Sequence, residues 1–194
     1  MLNKYLLAFL RSERGTSVLE FAFSVPLLIF VILYGGYESW RALAASLRVD
    51  RAASHVSTVA ARADASLDEG ALTSLLKSAN TIASPTDMLL DGRVILSAVK
   101  GGSGGVVLWQ RCLGSKTSFT SAIGTAGSVA NLSGNSFPTP PEDTTALVAE
   151  TFYEHKFFLT GSITPPVTLT HKAISLGREE IPESVLSGGT VSSC

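Results

Sequence analysis

The polarity pattern changes its period twice along the chain. From Ala22 to Tyr37 nearly every residue is apolar. The stretch from Thr16 to Tyr37, at roughly 1.5 Å rise per residue, is long enough to cross a hydrocarbon core of about 30 Å. Beyond it, apolar or small residues recur at Trp40, Leu43, Ala44, Leu47, Val56, Val59, Ala60 and Ala63, with Arg48, Asp50, Arg51, Arg62 and Asp64 between them. This is helical spacing. No proline falls between residues 27 and 84, so the pattern predicts a helical continuation over 38–65, making with the span at 16–37 a rod of about 70 Å. Gly35-Gly36 is where that rod can bend or break. Pro26 lies within the span; it removes the bond its N–H would make to Ala22 and crowds that carbonyl, which predicts a kink. Membrane helices tolerate this when neighbours satisfy the freed groups.

Ser66-Leu67-Asp68-Glu69 has the form of a capping box and predicts a second helix from about Leu67 to Ala79, with Leu72, Leu75 and Leu76 on one face and Asn80 and Ser84-Pro85 ending it. From Met88 the period becomes that of strands. Arg93–Lys100 and Val106–Cys112 are rich in β-formers and flank Gly101-Gly-Ser-Gly-Gly105, which predicts a hairpin, with a tight turn at Asp91-Gly92 before it. Residues 113–143 are crowded with Gly, Ser, Thr, Asn and Pro and read as a long exposed loop. Thr145–Leu159 alternates, with Leu147, Ala149, Thr151 and Tyr153 on one face and Val148, Glu150, Phe152 and Glu154 on the other. Val167–Ser175 supplies a further strand after Pro165-Pro166. The expectation is an α+β fold, with a small antiparallel sheet packed against helices in a domain at 66–194.

The 194 residues leave room for one anchor and one modest domain. The net charge of −1 is unevenly divided: Lys4, Arg11 and Arg14 against Glu13 make residues 1–15 basic, and the remainder is acidic overall. Nucleic acid is therefore not an expected partner. Positive charge before the span places the N-terminus in the cytoplasm and the C-terminal bulk across the membrane, although Arg41, Arg48 and Arg51 beyond the span oppose that signal and Glu38 and Asp50 partly balance them. Ala42-Leu43-Ala44 fits the small-residue site of a secretory signal, but it lies far beyond the usual reach of one. Cys112 and Cys194 both fall in the part expected to be exported, where an oxidising compartment favours their pairing over two free thiols.

Catalytic signatures are missing from the sequence. It has no Gly-x-Ser-x-Gly elbow, His-Glu-x-x-His pair or Cys-x-x-Cys pair, and Gly114-Ser-Lys-Thr117 lacks the order of a phosphate-binding loop. His55, His155 and His171 are far apart, and Glu154 and His155 point to opposite faces of an ideal strand. The expectation is a chain that is no enzyme and has no metal or cofactor. Glu20 is the residue that asks for a function. An acid deep in a span costs roughly 2.5 to 3.5 kcal/mol on insertion scales, and intramembrane ionisable groups usually have a partner.

Arg11-Ser-Glu-Arg-Gly15-Thr16-Ser-Val-Leu-Glu20-Phe21 then runs directly into the span. That order of basic residues, Gly, four residues, Glu and a membrane helix resembles the leader of prepilins. With Pro26 in the span and Arg41 just beyond it, the segment looks like the TadE family of minor pilins of tight-adherence (Tad/Flp) pili, a likeness that covers about 30 residues. The resemblance implies cleavage after Gly15 by a dedicated prepilin peptidase, so that Thr16 becomes the first mature residue and Glu20 and Phe21 follow as determinants of processing and assembly. It also implies a single-pass protein of a bacterial inner membrane with a periplasmic C-terminal domain, whose partners are other pilin and pseudopilin subunits and the pilus assembly machinery. The major pilin of such systems is little more than its helix, so a domain of this size implies a minor subunit. TadF-like proteins are close in size, and type II secretion pseudopilins usually carry Phe or Met where this chain has Thr16. An unprocessed single-span envelope protein that binds a ligand through its sheet is the reading outside this class.

Overall fold

The computed structural model describes residues 16–63, 68–102, 105–158, 161, 164–177 and 194. The expected leader, Gly15 included, and the Ser66 end of the expected capping box lie outside the described residues. The elements in chain order are α1 (Thr16–Arg62), α2 (Glu69–Ala83), β1 (Gly92–Lys100), β2 (Val106–Leu113), a single 3-10 turn at Ser133–Asn135, β3 (Thr145–His155) and β4 (Val167–Leu176). The chain divides into two compact units between Arg41 and Ala42. The helical assignment of α1 passes through Pro26 and Gly35-Gly36 without a break.

In the second unit the strands form one antiparallel sheet in the order β2-β1-β3-β4. This is the α+β arrangement that the change of period predicts. The central strands β1 and β3 are buried along nearly their whole length, because both of their faces are covered. On one face Val94, Leu96 and Ala98 of β1, Leu147 and Ala149 of β3 and Trp109 of β2 pack against Val49, Ala52, Val56 and Ala60 of α1 and Leu72, Leu76 and Ala79 of α2. Small residues on α1 let that helix come close to the sheet, and the alternation of β3 falls as its sequence predicts, with Leu147, Ala149 and Tyr153 towards the helices.

Most of the connection 113–143 is exposed or half-exposed, as expected, but a few of its side chains cover the opposite face of the sheet. Val99, Val107 and Val148 are covered there by Ile123 and Leu132 of that connection, and Ile95, Cys112 and Phe152 by Phe119. Polar anchors fix it in place. The fully buried Glu150 carboxylate accepts hydrogen bonds from Ser121 Oγ and, at 3.1 Å, from the Ala122 amide. Gln110 Nε2 donates to Ser97 Oγ at 2.9 Å and to the Gly124 carbonyl at 2.8 Å, and Arg93 donates to the Thr117 and Phe119 carbonyls. A sheet whose central strands are buried on both faces needs two covers. Few large side chains suffice for the second cover because the backbone and buried polar groups of the connection are hydrogen-bonded to the sheet.

Element ends also differ from expectation. Asp68, and not Ser66, caps α2, its Oδ1 accepting from the Ala71 amide at 2.6 Å. Glu69 does not reach back to the cap; its carboxylate pairs with Arg111 of β2, 2.6 Å from Nη2. Asn80 does not end the helix, which continues to Ala83; its side chain instead accepts from the Met88 amide at 2.7 Å. Strand β3 stops at His155, short of Leu159. Gly92 opens β1 because nothing larger fits: a Cβ there would lie 2.4 Å from the Phe152 carbonyl oxygen.

Cys112 on the edge strand β2 and Cys194 pair as a disulfide, with Cα atoms 5.5 Å apart and a sequence separation of 82. The other edge is β4, where the Gly177 amide still donates to the Thr145 carbonyl. The bond thus ties the last residue to the edge opposite the strand it follows. Closing a loop of this length stabilises the chain by about 4 to 5 kcal/mol in the chain-entropy model. Reduction, or a Cys112→Ser/Cys194→Ser double variant, should lower the unfolding free energy read from a denaturant titration by an amount of that order, and an unchanged midpoint would show that the bond contributes nothing to folding.

Candidate functional site

The first unit presents an apolar surface that its own chain leaves bare. Val18, Leu19, Phe21, Phe23, Leu27, Leu28, Phe30, Ile32 and Leu33 are all exposed, and no part of the most apolar window of the helix is buried. Burying one such side chain is worth about 1.5 to 3 kcal/mol, so a row of them in water is strongly unfavourable. The helix is long and apolar enough to cross a membrane. Pro26 lies inside it and Phe21, at 69% exposure, stands next to Glu20. Glu20 is exposed and is the only formally charged side chain between residues 16 and 37. Thr16 is the first residue the structure describes, about 6 Å of helical rise before Glu20.

At the other end of the apolar stretch the residue types change to those of a membrane boundary. Phe30 stacks on Tyr34 with centroids 6.0 Å apart, Tyr37 and Trp40 lie 6.3 Å apart, and the Arg41 guanidinium sits 5.8 Å from the centre of the Tyr37 ring. Arg41 Nη1 also lies 3.3 Å from the Glu38 carboxylate. Amphipathic rings and a long cationic side chain at one level are what an interface between hydrocarbon and water favours. This cluster was not singled out from the sequence, although Tyr37-Glu38-Ser39-Trp40-Arg41 carries the signal for it directly after the apolar run.

The second unit holds a polar seam with no sequence signal. His171 on β4 meets Ser46 and Asp50, one turn apart on α1: Nε2 is 2.8 Å from Ser46 Oγ and Nδ1 is 3.5 Å from Asp50 Oδ1. Further along, Ser175 Oγ lies 3.2 Å from Ser57 Oγ and 3.4 Å from Thr58 Oγ1. Between them the single Thr151 hydroxyl hydrogen is shared between the Val49 and His171 carbonyls, which lie 3.3 and 3.2 Å from Oγ1. The order Ser46, His171, Asp50 is that of a Ser-His-acid triad. Ser46 is inside a helix, however, where the neighbouring backbone amides serve intrahelical bonds and not an oxyanion. What the arrangement does is fasten β4, a strand without a fully buried residue, to α1.

The other residues considered for chemistry have structural partners. Glu150 holds the long connection and lies 3.7 Å from Lys172 Nζ, Glu154 pairs with Lys116, and the His155 ring contacts the rings of Tyr153 and Phe157. His55 is exposed on α1. Among the described residues no three His, Cys, Asp or Glu side chains are placed to hold a metal ion. Near the start of β1, Lys156 Nζ lies 2.6 Å from Asp91 Oδ1, and the hydrogen bond and then the charge of Asp91 raise the ammonium above its ordinary value. A raised cation contributes at lower pH and loses its contribution as pH climbs through the lysine range.

No protein-family model, no curated protein and no solved structure matches the chain.

The seam makes a definite expectation. His171→Ala should destabilise the second unit by about 1 kcal/mol, the usual net worth of a lost side-chain hydrogen bond, and should raise amide exchange along β4 more than along β1. Equal change in both strands, or none, would show that the seam does not hold β4.

Proposed function

We propose that the chain is a TadE-like minor pilin or pseudopilin of a tight-adherence (Tad/Flp) pilus, anchored in a bacterial inner membrane and taking part in assembly of an adhesion pilus. The observation that carries this reading is the exposed apolar stretch 16–37 of α1 with Glu20 as its one charged side chain, set five residues after Gly15 and its basic flank. In this reading a prepilin peptidase hydrolyses the Gly15–Thr16 bond from the cytoplasmic side. The leader leaves, and the anchor stays in the membrane with a new ammonium group on Thr16.

That cut changes the electrostatics of the helix end. A terminal amine is largely cationic at neutral pH, and a neighbouring subunit displaced by a few ångströms brings its own amine against the Glu20 carboxylate. At about 4 Å such a pair is worth on the order of 4 kcal/mol at an effective dielectric near 20. Desolvation reduces that figure, so the pair acts mainly by selecting one stagger between helices. The apolar side chains around Glu20 supply the contact area, and the sheet domain remains in the periplasm, where an oxidising environment keeps Cys112 and Cys194 paired.

The experiment is the intact mass and N-terminal residue of the protein recovered from membranes. The proposal expects loss of Met1–Gly15 and a first residue Thr16, with Gly15→Val accumulating as uncut precursor. A membrane form that still begins at Met1 would select the unprocessed single-span binding protein instead, and a new N-terminus near Ala45 would select an ordinary secretory signal.

A further inference from the structure

The outward face of α1 in the second unit carries charge of one sign. Within Ala42–Arg62 the inward residues, Val49, Ala52, Val56 and Ala60 among them, form the core against the sheet. On the opposite side Arg48, Arg51, His55 and Arg62 fall within about 60° of arc at 100° per residue. Arg51, His55 and Arg62 are exposed and Arg48 is half-buried. Asp50 is the sole acid in this segment, and it is turned towards His171. Among the described residues no carboxylate pairs with Arg48, Arg51 or Arg62. Leu47 and Val59, both exposed large apolar side chains, flank this row, about 40° beyond one margin of the arc and about 20° beyond the other.

We propose that this face is a docking surface for an acidic amphipathic helix of a different polypeptide. Arginine beside exposed aliphatic groups is the composition of an interface core more than of a solvated face. The spacing selects the partner's conformation. Arg48, His55 and Arg62 recur every seven residues, about 10.5 Å apart along the axis, so a helix lying alongside meets them with acids at the same heptad spacing. An extended segment presents same-face residues every 6.6 to 6.8 Å or so and falls out of step. A second copy docking through this same face brings like charges together, which leaves a partner of opposite sign. The inference stands on the second unit alone and does not depend on the pilin reading.

The test uses the full chain in nanodiscs of zwitterionic lipid and a fluorescein-labelled helical peptide with Glu at every seventh position beside a Leu stripe. A peptide of the same composition, shuffled so that acids recur every second residue, is the control. The heptad peptide should bind, the shuffled one should bind about tenfold more weakly or less, and R48Q/R51Q/R62Q should weaken the heptad peptide about tenfold or more without moving the thermal transition of the sheet domain. L47S/V59S should weaken it as well. Absence of binding, equal binding of the shuffled peptide, binding unaffected by the triple variant, or association of the ridge only with vesicles of anionic lipid would each overturn the proposal.

Discussion

An apolar helix that its own chain leaves uncovered must be covered by something else, and that requirement bears on every other feature of the first unit. The exposed leucines, isoleucines and phenylalanines between Val18 and Leu33 are compatible with hydrocarbon or with the helices of other subunits. One charged residue in such a surface is informative because it is expensive there. In the proposed reading Glu20 sits at a membrane edge, where an acid is tolerated, and acts when a cation is delivered to it. Tyr37, Trp40, Glu38 and Arg41 mark where the apolar stretch gives way to polar surroundings.

The second unit answers the same requirement internally. Its central strands are buried on both faces, and the chain provides one cover from helices and the other from an irregular connection. The two covers differ physically. Helices present aliphatic side chains in register with the sheet, whereas the connection between β2 and β3 depends on buried polar anchors, Glu150, Gln110 and Arg93, to keep a few apolar groups in place. Edge strand β4 lies outside the best-buried region and is held by hydroxyl and imidazole contacts. The disulfide secures the opposite edge, so each edge of the sheet has its own fastening.

Periodicity carried most of this architecture. The alternation from Leu147 to Glu154 predicts β3 and its two faces, and the paired β-rich runs around Gly101–Gly105 predict the hairpin of the central strand β1 with the edge strand β2. Richness in Gly, Ser and Thr at residues 113–143 predicts an irregular and mostly exposed connection, which is found, but gives no signal that Phe119, Ile123 and Leu132, with several hydrogen bonds, make a second layer on the sheet. The cap of α2 was misplaced by two residues because Asp68 competes with Ser66 for the same role, and the long-range pair with Arg111 draws Glu69 away from it. Contacts such as His171 with Ser46 join residues 125 apart and have no local signature. The aromatic and arginine cluster after the span was legible in principle, for its residues are contiguous.

In the proposed assembly Glu20 acts between subunits and not only at an interface with water. Zero-length carbodiimide coupling in membranes, followed by mass analysis, measures this directly. A junction between the Thr16 amine of one subunit and the Glu20 carboxylate of its neighbour is the expected product. Glu20→Gln should insert into the membrane and be cleaved at least in part, yet give no junction and no co-purification with pilin partners. Normal assembly and partner binding by Glu20→Gln would contradict the role assigned to that carboxylate.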